Sequence, residues 1–474
     1  MDNQYIYIQC FRHQLIMVSK KLELQKDWDW VRLGDYVNSV KGKKPKRVSS
    51  VQTAECPLPY INIKAFEKNI IDEYTDGVGC ALCEDGDFLM VWDGSRSGYV
   101  GKAIKGAIGS TLVKLDFPDI ENNYAYYFLQ SKYVEINTRA KGVGIPHVDP
   151  NILWNYDLLI PPKPTQQATV SKIEELFSEL DKGVENLRTA QQQLIVYKKT
   201  ILFEGVTGKL TEEWRTENLE TPTSDEVFNE IQKQIDEYLK NANQEAVVKG
   251  KRKPKDQRTN KRTNNVESNL PVLPSLWKYF RLEDITYLVT DGTHFTPKYK
   301  ETGIKFLSVK NVRPFYFREE NLKYISEEEH QKLIERCNPQ KGDILYTKVG
   351  ATFGYAAKIT MDYEFSIFVS LCLIKPVYEF FSSEFLEILM NSELVFQQAR
   401  KRVSGSGVPD LHLIEIRDFK IPLPCLKEQI EIVKEIESRL SVADKMEESI
   451  TQSLQQAEGL RQSILKKAFE GNLC

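Results

Sequence analysis

Basic residues beside glycines and small hydroxyls recur at corresponding places in the two halves of this chain. Lys41, Lys43, Lys44, Lys46 and Arg47 crowd one short stretch, and at about the same place in the second half stand Thr293, His294, Thr296 and Lys298. The first set is a cluster of phosphate-seeking cations. The second mixes hydroxyls, an imidazole and a lysine, which suits base edges as well as phosphates. A second pair of stretches is Asp93 to Gly98, carrying Arg96, and Lys348 to Gly354, carrying Thr352. A third is Arg139 to Pro146, with Lys141, and Arg402 to Pro409, with Ser404 and Ser406. Glycines there let the backbone approach a ligand, and Arg96 has the fork for a bidentate contact with guanine. Lys102, Lys310 and Asn311 extend the set. Each stretch also fits an ordinary surface loop, hairpin or hinge with solvated charge.

Residue types for catalysis are not arranged to match. No phosphate-cradling loop, dinucleotide fingerprint, zinc-protease His pair or nucleophile elbow is present. Asp410, Glu415 and Arg417 resemble a nuclease cluster only faintly, and the first half has His147 and Ile152 where the two acids stand. Cys80 and Cys83 are a close pair without the second pair that a zinc site needs. They read as buried thiols, and no metal site is expected.

The elements that position these residues come in two copies. Trp28, Arg32, Leu33 and Asp35 recur as Trp277, Arg281, Leu282 and Asp284, offset by 249. Gly86-Asp87-Phe88-Leu89 recurs as Gly342-Asp343-Ile344-Leu345, offset by 256. Arg139 to Leu210 then aligns without gaps on Arg402 to Leu473, offset by 263, with 19 identities in 72 positions. Each copy closes with a heptad helix. Ile173, Phe177, Leu180, Val184, Leu187, Gln191, Leu194, Lys198 and Ile201 alternate 4-3-4-3, as do Ile436, Leu440, Ala443, Glu447, Ile450, Leu454, Ala457, Arg461 and Ile464. The first helix, from about Gln166 to Phe203, would be on the order of 55 Å long. The seam also fits two independent amphipathic helices packed on their own domains, but one small domain can hardly bury so long a seam, so the two helices are expected to pair with each other, antiparallel. The polar interruptions, Gln191 and Lys198 in one and Glu447 and Arg461 in the other, favour a specific partner.

The expected fold is mixed α+β. Two α/β domains in pseudo-twofold repeat are separated by two long helices forming an antiparallel coiled coil. The segments read as an N-terminal extension (1–27), a first domain (28–162), a central helix (163–210), a polar linker (211–270), a second domain (271–424) and a C-terminal helix (425–474). Tyr60 to Ile63, Phe88 to Trp92 and Gly109 to Leu115 read as strands, and 121–138 as a helix. The linker reads as solvated, with a phosphate-contacting tether as the alternative: Lys249 to Arg262 holds eight Lys or Arg against one acid. One helix over Asp225 to Leu239 fits within it. Composition is that of a cytoplasmic soluble protein, 41% hydrophobic and 28% charged, without a run long enough to span a membrane. A net charge of −3 requires any nucleic-acid surface to be a local basic face.

Taken together, Ile160-Pro161-Pro162 to Leu202, Val206-Thr207-Gly208 to Trp214, Ile421-Pro422-Leu423-Pro424 to Leu465, Ala468 to Gly471, Asp291 to His294 and the strand at 342–345 resemble the specificity subunits of Type I restriction–modification enzymes. The resemblance runs from about Trp28 to Leu473. It implies that each globular part is a target-recognition domain reading half of a bipartite site on double-stranded DNA, and that the paired helices fix the gap. It implies as partners two modification (methyltransferase) subunits and motor–nuclease subunits. The chain itself would hold no cofactor and do no chemistry; S-adenosylmethionine, ATP and magnesium would serve its partners. Two other classes stand beside this one: an adapter that scaffolds partners through its coils without reading DNA, and a nuclease or methyltransferase in its own right.

Overall fold

The computed structural model describes residues 28–142, 144–248, 255–258, 270–403, 409–470 and 473. Ser404 and Ser406, the 1–27 extension and most of the basic run in the linker lie outside these residues. The chain divides into two compact units. One comprises the chain up to Arg188 together with the chain from Thr451; the other is Thr189–Ile450. No described helix is long and apolar enough to cross a membrane.

The repeat in sequence is a repeat in topology. In the first unit Asn38–Lys41, Leu112–Asp116, Phe88–Val91 and Val100–Lys102 form an antiparallel sheet in that order. In the second, Thr286–Asp291, Leu371–Pro376, Ile344–Thr347 and Ala356–Lys358 do the same. Beside each lies a parallel pair, Leu58–Ile61 with Gly106–Ile108 and Ile304–Leu307 with Phe365–Ile367. The inner strands Phe88–Val91 and Ile344–Thr347 are buried at every position, whereas the edge strand Asn38–Lys41 is exposed along its length. For these inner strands, burial at successive positions means that both faces are covered.

Some element boundaries differ from those read in the sequence. Ile63 begins a helix, Ile63–Lys68, because the Asn62 carboxamide oxygen accepts from the Ala65 N–H at 2.9 Å and caps it. Gly109 to Thr111 make the turn before Leu112–Asp116. The segment read as a solvated linker is packed where it is described. Ser224–Val248 is a 25-residue helix whose Val227, Ile231 and Ile235 are buried in the second unit's core with Trp277 and Leu282. Gln257 then exchanges two hydrogen bonds with the Val289 backbone, at 3.2 and 3.0 Å, as a neighbouring strand would.

The long helices run Lys163–Val206 and Leu426–Phe469, 44 residues each, at the offset of the repeat. Every seam position from Ile173 to Ile201 and from Ile436 to Ile464 is buried or half-buried. Full burial of a side chain such as Phe177 or Ile436 contributes about 1.5–3 kcal/mol. Within each unit the helices meet antiparallel. In the first, Arg461 pairs with Asp181 and lies 4.4 Å over the Phe177 ring. In the second, Lys198 sits between Asp444 and Glu447, 2.6 Å from each. Three of the four polar interruptions thus take charged partners on the opposite helix. Partly exposed pairs contribute under about 1 kcal/mol; what they specify is alignment.

Each helix begins beside its own sheet and ends in the other unit. Ile201 and Val206 join the second unit's core. Ile464, Leu465 and Ala468 join the first unit's core, where Phe469 packs edge-on against Tyr124 at 5.1 Å. The helix starts are clamped alike. Gln166 donates to the Pro161 carbonyl and accepts from the Glu121 N–H; Gln429 donates to the Pro424 carbonyl and accepts from the Ser382 N–H.

The opening motif of the second copy carries a titratable strain. Burial raises the Glu283 carboxyl to about 7, against the opposing pull of Arg281 at 2.8 Å. A raised carboxylate favours folding while protonated. Its contribution is present below about pH 4.5 and lost as pH rises through about 7. Glu283→Gln is therefore expected to raise the melting temperature at about pH 8 and leave it nearly unchanged near pH 4.5. An equal shift at both values would refute this.

Candidate nucleic-acid interface

Three of the singled-out stretches in the first unit meet at one end of its sheet. Lys41 ends its strand, and its ammonium lies 3.0 Å from Asp93. Asp93 and Lys141 both bridge to His147, and the Gly94 N–H donates to the Pro146 carbonyl at 2.7 Å. Lys141 also pairs with Asp149 at 2.7 Å, a hydrogen bond that holds that carboxyl below its usual value. Gly42 is required here by space. A Cβ on it would lie 2.2 Å from the Gly109 carbonyl oxygen. Beyond this anchor Lys43, Lys44, Lys46 and Arg47 are exposed, Arg47 beside Glu55 at 3.2 Å.

The second unit is stitched in the same way. A Cβ on Gly292 would lie 2.0 Å from the Ile367 carbonyl oxygen, and Thr293 N–H donates to that oxygen at 3.1 Å. The Gly350 N–H donates to the Pro409 carbonyl, and Val349 bridges to Asp410. The ion pair at the root has changed sign and depth. Asp291, which stands where Lys41 does, is 2% exposed. It takes Lys348 at 3.6 Å, His294 at 3.3 Å and Arg336. His294, Thr296 and Lys298 are exposed beyond it, and Thr293 is half-buried.

Other expected contacts are spent inside the fold. Lys348 is buried against Asp291. Asn311 is 4% exposed; it accepts from the Ser308 N–H and donates to the Arg318 carbonyl, holding its own loop. Arg402 donates to the Glu415 carbonyl at 2.8 Å, pairs with Asp418 at 3.3 Å and covers Phe419. These three are corrections: their side chains close the domain instead of facing a ligand. Arg96 is half-exposed, tied to Glu67 at 3.2 Å and stacked 4.1 Å over Tyr99. Arg139 lies beside Glu135. Thr352 is half-buried, its carbonyl accepting from Thr347. Lys102 sits opposite Phe88, at the far end of the strand from Val91, and is not part of the cluster. Lys310 is exposed in the Asn311 loop.

Residue type alone missed Arg336, which stands in no telling motif, and the role of Asp291, which opens the Asp291 to His294 stretch but whose burial and ion pairs nothing in that stretch announces. The buried glutamines 166 and 429 were visible as identities in the gap-free repeat.

The model of the Type I restriction modification DNA specificity domain matches this chain twice, over residues 25–188 and 274–456, once per copy. The chain belongs to that family. Similar specificity-domain proteins span the same length. The MjaVIII specificity subunit of Methanocaldococcus jannaschii is 24% identical over 99% of this chain and 98% of its own. The EcoBI specificity subunit of Escherichia coli is 24% identical over 94% and 86%. Among solved structures, a chain from work on assembly and conformational transition of the type I R-M system superposes with a TM-score of 0.59 at 16% identity, covering 95% of this chain and 99% of that one. The HsdS subunit of Thermoanaerobacter tengcongensis gives 0.50 at 16% identity, covering 95% and 98%. At that identity the likeness shows the fold.

Proposed function

We propose that this chain is the non-catalytic sequence-specificity subunit of a Type I restriction–modification complex. The observation that carries the reading is the recurrence of one loop framework, stitched by the same backbone bonds, with different side chains at its tip. A duplicated active site would repeat its chemistry; two readers of different half-sites would not. In the first unit exposed lysines beyond the Gly42 anchor supply phosphate contacts and register. In the second, His294, Thr296 and Lys298 supply donors and acceptors for base edges. Two linked half-sites multiply specificity, because the second binds at high effective concentration.

The paired helices set the distance between half-sites and dock two modification subunits, with motor–nuclease subunits joining that core. S-adenosylmethionine, ATP and magnesium act in those partners, and this chain holds no cofactor. Family membership supports the reading subunit over an adapter that has lost DNA recognition.

Adenine methylation mapped across the genome of cells carrying this chain and its methyltransferase subunit tests the proposal. The expected outcome is a new bipartite motif, two short half-sites with a fixed gap. No new motif, from a subunit active alongside another specificity chain, would return the adapter reading. The helices are tested in the same assay. Seven residues added after Arg188 and seven after Ser453, where the helices face, keep the seam in phase and lengthen each by about 10.5 Å. The gap is expected to grow by about three base pairs at 3.4 Å each, with both half-sites unchanged. An unchanged gap would refute the ruler.

A further inference from the structure

The tip of the second unit's reading loop carries a side chain that its surroundings leave without an apolar partner. Phe295 is 82% exposed. It is not on a loose segment. Thr293 Oγ1 accepts from the Phe295 N–H at 3.2 Å, Gly292 is pressed against the Ile367 carbonyl, and the Val369 N–H donates to the Thr293 carbonyl at 3.0 Å. Pro297 is buried just beyond. The ring therefore stands on a short, doubly anchored turn between two exposed hydrogen-bonding side chains, His294 and Thr296, with Lys298 following. At the corresponding place in the first unit, two residues after Lys43, comes the buried Pro45, and cations surround it.

We infer that Phe295 is a specificity-determining residue of the second domain, packing on the C5-methyl group of a thymine in the major groove. The inference rests on the proposed DNA-reading function. Its physics is that of a rigid apolar group among polar readers. His294, Thr296 and Lys298 hold the loop to base edges and phosphates, which are polar. Among groups displayed in the major groove the thymine methyl is the apolar one, and phenylalanine contacts it well. Anchoring of the turn means that little entropy is lost when the ring is covered.

The test uses the complex of this chain with its modification subunit and duplexes of the mapped target. Each thymine of the second half-site is replaced in turn by uracil, which lacks only the methyl. At one position the substitution is expected to weaken wild-type binding about fourfold, the worth of one buried methyl. Phe295→Ala should bind the unmodified site more weakly and be indifferent to that same substitution. Its melting temperature should match the wild type, since the ring is exposed. A second half-site without thymine overturns the inference. So does a wild type insensitive to every substitution, or a Phe295→Ala variant that retains the wild-type response. Weaker binding by the variant with no thymine-to-uracil coupling would mean a wedge between bases instead, and also overturns it. Failure of the wild-type complex to bind its unmodified target would strike at the DNA-reading function itself, a separate result from any of these.

Discussion

Glu428→Ala is expected to cost the second unit about 3–5 kcal/mol, the penalty for removing one partner of a buried ion pair. Glu428 is 2% exposed. Its carboxylate accepts from Arg215 at 2.6 Å, Thr211 at 2.9 Å and the Trp277 indole at 2.8 Å. It thereby joins the first turn of the second long helix to the short helix Glu212–Glu217 that follows the first long helix, with Thr211 at its N-cap, and to the opening motif of the second domain. Alanine leaves a guanidinium, a hydroxyl and an indole N–H buried without that acceptor. Glu428→Gln keeps the shape and should lose less. Thermal or urea unfolding of the chain bound to its modification subunit measures the difference. A loss below about 1 kcal/mol for the alanine variant would show that the network is not a structural joint.

A second large effect is expected at Asp291, and its counterpart supplies the contrast. Asp291→Ala strands the Lys348 ammonium, which is 7% exposed, and releases His294 and Arg336. Breaking a buried pair again costs about 3–5 kcal/mol, here at the root of the reading loop. Methylation of the target should fall by more than about a hundredfold, a factor worth about 2.8 kcal/mol. Lys41→Ala breaks the reversed pair in the first unit, where Lys41 is 51% exposed and Asp93 26%. Exposed pairs contribute about 0.2–1 kcal/mol, so that variant should keep methylating within a few-fold of wild type. Equal losses for both would mean that burial does not distinguish the two roots.

The periodic parts of this fold were legible in the sequence. The seam from Ile173 to Ile201 repeats every 3.5 residues, and a helix of that length must find a partner as long as itself. The offset of 263 already paired it with Ile436 to Ile464. What was not legible is burial within loops. Lys348, Asn311 and Arg402 have the chemistry of DNA contacts, but nothing local says that Asp291, Ser308 or Asp418 takes them first. Partners of Glu428 lie 217 and 151 residues away at Thr211 and Trp277. The linker misled for a related reason. Its basic run suggests solvation, while the apolar stripe of Val227, Ile231 and Ile235 just before it belongs to a core.

The crossing of the long helices from one unit into the other reverses the order in which the chain can mature on a ribosome. Multidomain proteins generally complete the N-terminal domain first. Here the first unit's core includes Ile464, Leu465 and Ala468, which are translated after all of Thr189–Ile450. The unit encoded second is therefore the one that can close first. Its neighbour waits, incomplete, until the last turns of the second helix emerge, so a prematurely terminated chain leaves that core open and marks itself for proteolysis.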